Sequence, residues 1–336
     1  MRVTFVNRKP LNGYFSIENV FKALIPSFPV DINIDNFYVK SSRAYPLGIF
    51  KNLFYRAKKA DIYHVTGDIH YAVFSYPRNK TVLTIHDCRF MMSKSLLKRF
   101  LMKWIWLKLP VKKAKFVTVI SEKSKRDVVK YTGCNPKKIA VIPDPLAPHF
   151  KYTRKVFNSE RPRILQVGTA FNKNLHRVIE ALGGISCEFT ILGRLSEADI
   201  NYLKKFKIIY RNRWDLSDED IASEYRNSDI VVFASVFEGF GLPIIEAQAS
   251  GRIVVTSNIS PLIEVSGGLA SFVNPFDVNS IKEGILEMIN NSEKRNRLIE
   301  SGLENAKRYN PTIIARSYYE IYKKIFFSGN SSSFNL

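Results

Sequence analysis

The run D-I-V-V-F-A-S-V-F-E-G-F-G-L-P-I-I-E-A-Q-A-S-G, residues 229–251, decides the fold. Residues 229–235 hold the continuous apolar stretch I-V-V-F-A, the pattern of a strand covered on both faces in a parallel sheet. The segment from Ile244 reads as a helix that stops at Gly251, a residue suited to the position just past a helix end. Pro243 fits the first helical residue, which makes Leu242 the N-cap, and leucine offers the first-turn N–H groups no acceptor. An open helix N-terminus behind a glycine loop, at the carboxyl end of a strand, suits a phosphate. Gly239 and Gly241 let the backbone approach a ligand closely. Two carboxylates, Glu238 and Glu246, lie in this otherwise apolar segment, where burial without a partner is unfavourable. They read either as paired catalytic carboxylates of the hydrolytic kind or as solvated glutamates of an ordinary strand–loop–helix turn.

Outward from this run, β-rich segments alternate with helical ones. Strand candidates are 3–7, 32–39, 62–67, 80–87, 115–121 and 138–145 in the first half, and 163–168, 188–193, 207–212, 229–235, 252–257 and 270–275 in the second. This alternation argues α/β architecture. Residues 143–162 hold four prolines and no periodicity, the mark of a linker between two doubly wound domains. In such sheets ligands sit at the carboxyl ends of the strands. After Pro275 the pattern turns helical over 277–291, 293–309 and 311–327, with Pro311 at a first turn. The tail S-G-N-S-S-S-F-N-L reads as frayed.

A chain of 336 residues, 46% hydrophobic, can bury a core in one large or two ordinary domains. Cys88, Cys134 and Cys187 are widely spaced, which argues against a zinc site or disulfide framework and fits a reducing compartment. The N-terminus M-R-V-T-F-V-N enters a strand at once and has no secretory pattern. No apolar run approaches the roughly 20 residues of a membrane span. The net charge of +21 calls for an anionic partner: nucleic acid, an anionic lipid surface or a phosphorylated substrate.

Residues 235–277 (S-V-F-E-G-F-G-L-P-I-I-E-A-Q-A-S-G…P-F-D) resemble the C-terminal signature of the family 4 retaining glycosyltransferases. I-L-Q-V-G-T-A-F-N-K-N-L (164–175), F-T-I-L-G-R and the acidic S-D-E-D-I-A-S-E-Y follow in that family's order. H-V-T-G, V-L-T-I-H-D and V-T-V-I-S-E-K-S-K-R-D-V-V-K-Y-T-G-C-N-P-K-K-I-A-V-I-P-D-P match more weakly in the first half. The resemblance implies a GT-B fold, two Rossmann-like domains facing each other across a cleft. Residues 1–150 would be an acceptor-binding domain, 151–310 a nucleotide-sugar-binding domain, and 311–336 a helix crossing back to the first domain, then the tail.

The resemblance also assigns roles. Glu246 would accept hydrogen bonds from the ribose hydroxyls, and Glu238 would face the donor sugar near its anomeric carbon, so the two carboxylates are donor-binding groups and not a hydrolytic pair. The amides of Gly239, Phe240, Gly241 and Leu242 would hold sugar and diphosphate. Lys173 would neutralise the leaving diphosphate. An arginine usual in that loop is missing, and Arg194 is a candidate to supply its charge. His86 would lie near the donor sugar, with Asp87 orienting its ring or meeting the acceptor. His64 and His70 are weaker acceptor candidates. Gly13, the one glycine of the loop after the first strand, would approach the donor. No cofactor and no metal are implied. The D-x-D at Asp218–Asp220 reads as N-terminal helix charge. Transfer would be retaining, the acceptor attacking from the face the diphosphate leaves. Arg211–Leu216 is a candidate base pocket that does not discriminate UDP, GDP and dTDP. A sugar-nucleotide epimerase of the same fold is the alternative.

From Cys88 to Ser121 there are nine Lys/Arg residues and no acidic ones. Residues 95–109 read as a helix. At 100° per residue, Leu96, Leu97, Phe100, Trp104 and Leu107 form one apolar arc, and Lys98, Arg99, Met102, Lys103 and Trp106 form the other. The second arc suits an anionic membrane interface, with Trp106 at headgroup level. A core helix with an ordinary lysine-rich outer face is the plainer reading. The basic residues gather around this helix and do not interleave with base-stacking aromatics, which argues against nucleic acid. The expected protein is a cytoplasmic enzyme, peripheral on the inner face of the plasma membrane. It would add a sugar to a glycan or lipid-linked glycan in bacterial surface polysaccharide biosynthesis.

Overall fold

The computed structural model describes residues 1–9, 16–41 and 45–330. Two compact units form: Met1–Pro145 with the C-terminal segment that begins at Pro311, and Leu146–Asn310. Each is built on a six-stranded, wholly parallel sheet. All twelve expected strands are present; most are shorter than the runs that announced them, while the first begins a residue earlier, at Arg2, and the ninth is shifted to Tyr210–Arg213.

In the first unit the strands are β1 (Arg2–Asn7), β2 (Asn33–Tyr38), β3 (Ile62–Val65), β4 (Thr81–Ile85), β5 (Phe116–Val119) and β6 (Ile139–Val141), in the order β2-β1-β3-β4-β5-β6. The inner strands β3 and β4 are buried along their whole length, which is why they lack polar alternation. A polar thread runs beneath them. His64 of β3 shares hydrogen bonds with Tyr322 (Nδ1 to Oη, 2.6 Å) and Thr84 (Nε2 to Oγ1, 2.7 Å), and Thr84 meets Thr118 at 2.6 Å. Burial lowers the His64 pKa to about 3, with the charge of His86 adding to the effect, so the ring is neutral. Tyr322 comes from helix Pro311–Asn330, whose Tyr318, Tyr322 and Ile325 are buried in this unit. His64 is therefore a structural joint and not an acceptor contact.

Residues 95–109 are helical, but the helix opens into a π stretch over Met102–Lys108 between α-helical Leu96–Leu101 and Leu109–Lys113. The cause is Pro110. It has no N–H to give the Trp106 carbonyl four residues earlier, and that carbonyl accepts instead from Nδ1 of His70 at 2.7 Å. The wider turn breaks the 100° spacing, and the expected outer arc is wrong as a result. Trp106 is 6% exposed and packs on Tyr71 and His70. Leu96, Leu97, Phe100, Leu101, Trp104 and Ile105 stand outside, Leu96 at 71% exposure. The surface face of this helix is apolar, flanked by exposed Lys94 and Lys98 and half-buried Arg99, Lys103 and Lys108. Among the described residues no helix is long and apolar enough to cross a membrane.

In the second unit the strands are β7 (Arg163–Val167), β8 (Glu188–Leu192), β9 (Tyr210–Arg213), β10 (Ile230–Phe233), β11 (Ile253–Ser257) and β12 (Ser271–Val273), in the order β12-β11-β10-β7-β8-β9. The chain builds outward from β7 to β9, then returns to place β10 on the other side of β7. The point where the strand order reverses, where open α/β sheets bind ligands, thus lies between β7 and β10. No helix or strand occurs between Val141 and Arg163, and the unit boundary falls within that stretch.

Tyr322→Phe would leave Nδ1 of His64 buried without its partner. Chemical denaturation is expected to read a loss of about 1–3 kcal/mol, with secondary structure unchanged by circular dichroism.

Candidate functional site

The two loops that leave β7 and β10 are stitched together at the reversal point. Gly168 ends β7 at φ +87°, and a Cβ there would stand 3.1 Å from Cγ of Lys173, so the lysine folds back over this glycine. Nε2 of Gln166 donates to the Lys173 carbonyl at 2.9 Å and fixes the turn Phe171–Lys173. Asn172 takes the Val236 N–H on its carbonyl at 2.9 Å and donates through Nδ2 to the Phe237 carbonyl at 3.0 Å. Asn174 donates to the carbonyls of Ala234 and Pro275.

This stitching delivers Nζ of Lys173 to Oε1 of Glu238 at 2.7 Å, with Nδ2 of Asn172 on the same oxygen at 3.1 Å. The side chains are 21% and 13% exposed, enough for a ligand to reach them. Lys173 also lies 4.6 Å above the ring of Phe233, a cation–π contact that holds the ammonium at the end of β10. Two residues 65 apart in sequence thus form one charged pair at the reversal point.

Glu246 sits one turn into helix Leu242–Ala249. Burial raises its pKa to about 7, although the Tyr225 hydroxyl donates to Oε2 and the charge of Lys173 pulls the other way. The carboxylate is thus part protonated near neutrality. The helix starts one residue earlier than expected: Gly241 is the cap, at φ +119°, and Leu242 is the first helical residue. A Cβ on Gly241 would come 2.8 Å from Leu262, so packing as well as backbone angle favours glycine. The helix end offers few free donors: Pro243 has no N–H, and the Ile244 N–H donates to the Gly241 carbonyl at 3.0 Å. Phe240 is buried against Tyr309, so its side chain is structural and its amide is what it can offer. Gly239 is half-buried in the same loop.

Arg194 follows β8. Its carbonyl accepts from the Thr169 hydroxyl at 2.8 Å, while its guanidinium pairs at 2.6 Å with Asp215 at the surface. Both partners are largely exposed, 74% and 71%. Arg211 and Arg213 both bind the buried Glu224, and Trp214 beside them is half exposed. Asp220 accepts from the N–H and hydroxyl of Ser217 in a capping box, the helix-start role read for the D-x-D. A cavity of about 770 Å³ lies against the loop after β7, lined in part by Thr169, Phe171, Arg177, Arg194 and Phe276.

In the first unit His86 follows β4. Its Nε2 lies 2.8 Å from the Thr66 carbonyl, and its Nδ1 faces Asp144 at 3.9 Å. Asp87 does not orient the ring. Its Oδ1 accepts from the Arg89 N–H at 2.8 Å and closes the next turn, because an aspartate readily bonds to backbone two residues on. Sequence reading missed Asp144, whose signal was a carboxylate in the I-P-D-P turn 58 residues from the histidine it meets. His70 is buried on the Trp106 carbonyl. Gly13 lies outside the described residues.

The glycosyl transferases group 1 model matches residues 151–305, and the Glycosyltransferase Family 4 model matches residues 27–149. The chain belongs to the family 4 glycosyltransferases. This family 4 chain is 38% identical over 92 residues to the O-antigen chain mannosyltransferase B of Escherichia coli, covering 27% of this chain and 24% of that one. It is 28% identical over 222 residues to the O-antigen chain mannosyltransferase RfbU of Salmonella typhimurium, covering 62% and 60%. The matched regions span less than two thirds of these relatives' own lengths. HepE from Anabaena, determined with UDP and glucose, superposes at a TM-score of 0.76 with 14% identity over 96% of this chain and 100% of that one. That likeness is one of fold, and the fold is GT-B.

The raised pKa of Glu246 makes a pH prediction. The folded chain holds a proton on Glu246 between pH 4.5 and about 7 that the unfolded chain has lost, so this group's contribution to stability falls as pH rises through that window. Glu246→Gln is therefore expected to raise stability by on the order of 2 kcal/mol at pH 8 and to change little at pH 4.5. Thermal melts across pH measure the difference.

Proposed function

We propose that this chain transfers a hexose from a nucleotide-diphosphate sugar to a hydroxyl of a glycan or lipid-linked glycan, in the building of a bacterial surface polysaccharide. The observation that carries the reading is the Lys173–Glu238 pair at 2.7 Å, held between the loops after β7 and β10 with Glu246 nearby on the following helix. The names of the relatives in Escherichia coli and Salmonella support O-antigen synthesis and make a mannosyl donor the first to test.

In this reading Glu246 accepts from the ribose hydroxyls, and the half-exposed Trp214 flanks the base. Amides of Gly239, Phe240, Gly241 and Leu242 approach the sugar and diphosphate. The bond from the anomeric carbon to the diphosphate oxygen lengthens, and negative charge grows on that oxygen. The Lys173 ammonium meets this charge in a partly dry site, where a fixed cation is most effective, so the reaction calls for no metal and no cofactor. Glu238 stabilises positive charge on the sugar from the other side. The acceptor oxygen bonds the anomeric carbon on the face the diphosphate leaves, and its proton passes to the departing phosphate oxygen, so configuration is retained. Lys173 and Glu238 neutralise each other until the diphosphate arrives and competes for the ammonium. That exchange keeps two half-buried charges paired throughout.

Lys173→Ala is expected to lower kcat by about 10²–10³-fold, and Glu246→Ala to weaken donor affinity chiefly. Near-normal turnover in both variants, measured with UDP-, GDP- and dTDP-hexoses, would remove the assignment. A thermal-shift screen with the same donors names the base, since the donor that binds raises the melting temperature.

The acceptor side of the reading includes a place on the cytoplasmic face of the membrane. A contiguous apolar surface ringed by bases is rare on a soluble monomer unless it meets a partner. Leu96, Leu97, Phe100, Leu101, Trp104 and Ile105 would enter the headgroup boundary while Lys94, Lys98, Arg99, Lys103 and Lys108 meet lipid phosphates. Lys108 lies 4.2 Å over the Trp104 ring, which joins the two kinds of contact. Exchanging Leu97, Phe100 and Ile105 together for serine should abolish co-sedimentation with phosphatidylglycerol vesicles and leave the melting temperature unchanged. High salt should weaken wild-type binding, and equal binding to neutral vesicles would count against the electrostatic part.

A further inference from the structure

Asp144 presents a problem that the proposed reaction does not use. It is 6% exposed and its side chain 8%, yet among the described residues no group donates a hydrogen bond to its carboxylate. Its charged partner is Nδ1 of His86 at 3.9 Å, too long for a hydrogen bond. A carboxylate buried to this degree without a donor has given up most of its hydration, while the 8% of the side chain still exposed leaves it within reach of a ligand. A fold keeps such a group where something else completes it.

The ring opposite is held fixed. Nε2 of His86 reaches the Thr66 carbonyl at 2.8 Å, a contact that requires the proton to be on Nε2. The His86 carbonyl accepts from the Ser124 hydroxyl at 2.9 Å, so the backbone cannot drift toward Asp144. Nδ1 is left as the ring atom able to act, and it faces Oδ1 across the gap. Two hydrogen bonds of about 2.8 Å that meet at one oxygen near a right angle span about 4 Å. A single hydroxyl can span the separation observed, 3.9 Å.

We propose that Asp144 and His86 together bind one sugar hydroxyl, which bridges Nδ1 and Oδ1. The inference rests on the glycosyltransferase reading and adds Asp144 to it as a residue that touches substrate. A hydroxyl has one proton to donate, so it must accept from one of the two groups and donate to the other. The pair therefore carries one proton in the bound state, either on Nδ1 or on the carboxyl. Burial raises the Asp144 pKa to about 6 against the opposing pull of His86, so the carboxyl can hold that proton near neutrality. Tyr318, on which its charge acts, stays neutral there, as do the two histidines that interact with His86. Burial pushes Tyr318 far up and holds His64 at about 3, and it lowers His70 despite the charges of Asp68 and Asp87.

The test uses the full chain, a polyprenyl-diphosphate glycan acceptor, and whichever UDP-, GDP- or dTDP-hexose the wild type turns over. Asp144→Asn is expected to lower kcat/KM by about 10- to 100-fold while its melting temperature at pH 8 stays level or rises, because a buried unpaired charge has been removed. A merely structural aspartate would lose stability instead. Single-hydroxyl deletions then locate the bridge. One monodeoxy donor, or one monodeoxy acceptor, should be used equally well by wild type and Asp144→Asn, because both lack the same contact. Which series contains that compound tells whether the hydroxyl belongs to donor or acceptor. Wild-type turnover in Asp144→Asn, a lower melting temperature, or losses that multiply at every deoxy position would overturn the bridge while the dependence on Lys173 stands. Failure of the wild type to transfer any of the hexoses would overturn the transferase reading itself.

Discussion

The ion pair between Lys173 and Glu238 depends on a constraint that orders the whole second unit. Its two loops leave β7 and β10, strands that are neighbours in the sheet although two other strands separate them in sequence. The loops carry backbone groups that no helix or sheet satisfies. Asn172 and Asn174 answer those groups with their side-chain amides, spanning from the first loop to Phe237, Ala234 and Pro275. Each amide that pins a carbonyl also fixes a neighbouring residue. Lys173 lies between the two asparagines and has little choice of direction, and Gly168 leaves the space its stem occupies. The charged pair is a by-product of settling buried polar groups, which is why it is held rigidly.

The first unit applies the same rule to a different end. Its sheet is crossed by a polar line, His64 to Thr84 to Thr118, which continues into Tyr322 of the C-terminal helix. The line ties the last helix of the chain to its third strand, and it keeps one histidine uncharged beside another. Pro110 creates a further unsatisfied carbonyl, which His70 answers and around which the helix widens. At Asp144 the nearest charged partner, Nδ1 of His86, stands 3.9 Å away, and no hydrogen bond joins the two.

Much of this was legible in the residues. The Val/Ile runs marked the inner strands, because a strand buried on both faces has no polar positions to interrupt it, whereas the edge strands β2 and β9 are polar and largely exposed. The segment 229–251 carried both glutamates and the glycine loop, and Lys173 followed a strand in a spacing the second unit reproduces. The asparagine seam was not legible, since an asparagine beside a lysine reads as any turn. The exchange of Asp87 for Asp144 at His86 was not legible either. Adjacent residues on a chain leaving a strand point apart, and the shorter reach of Asp87 is to its own backbone.

The sequence by itself determined the alternation of strand and helix, the place of the linker and the segments that supply the charged groups, because periodicity and glycine–proline punctuation act over a few residues. Tertiary structure alone decided which ionisable groups meet, that Glu246 is pushed to about 7, and which face of residues 96–105 looks outward. Those outcomes depend on distances between side chains far apart in sequence and on the water removed around them. They also depend on one helical turn whose width is set by a proline and by a histidine 40 residues before it.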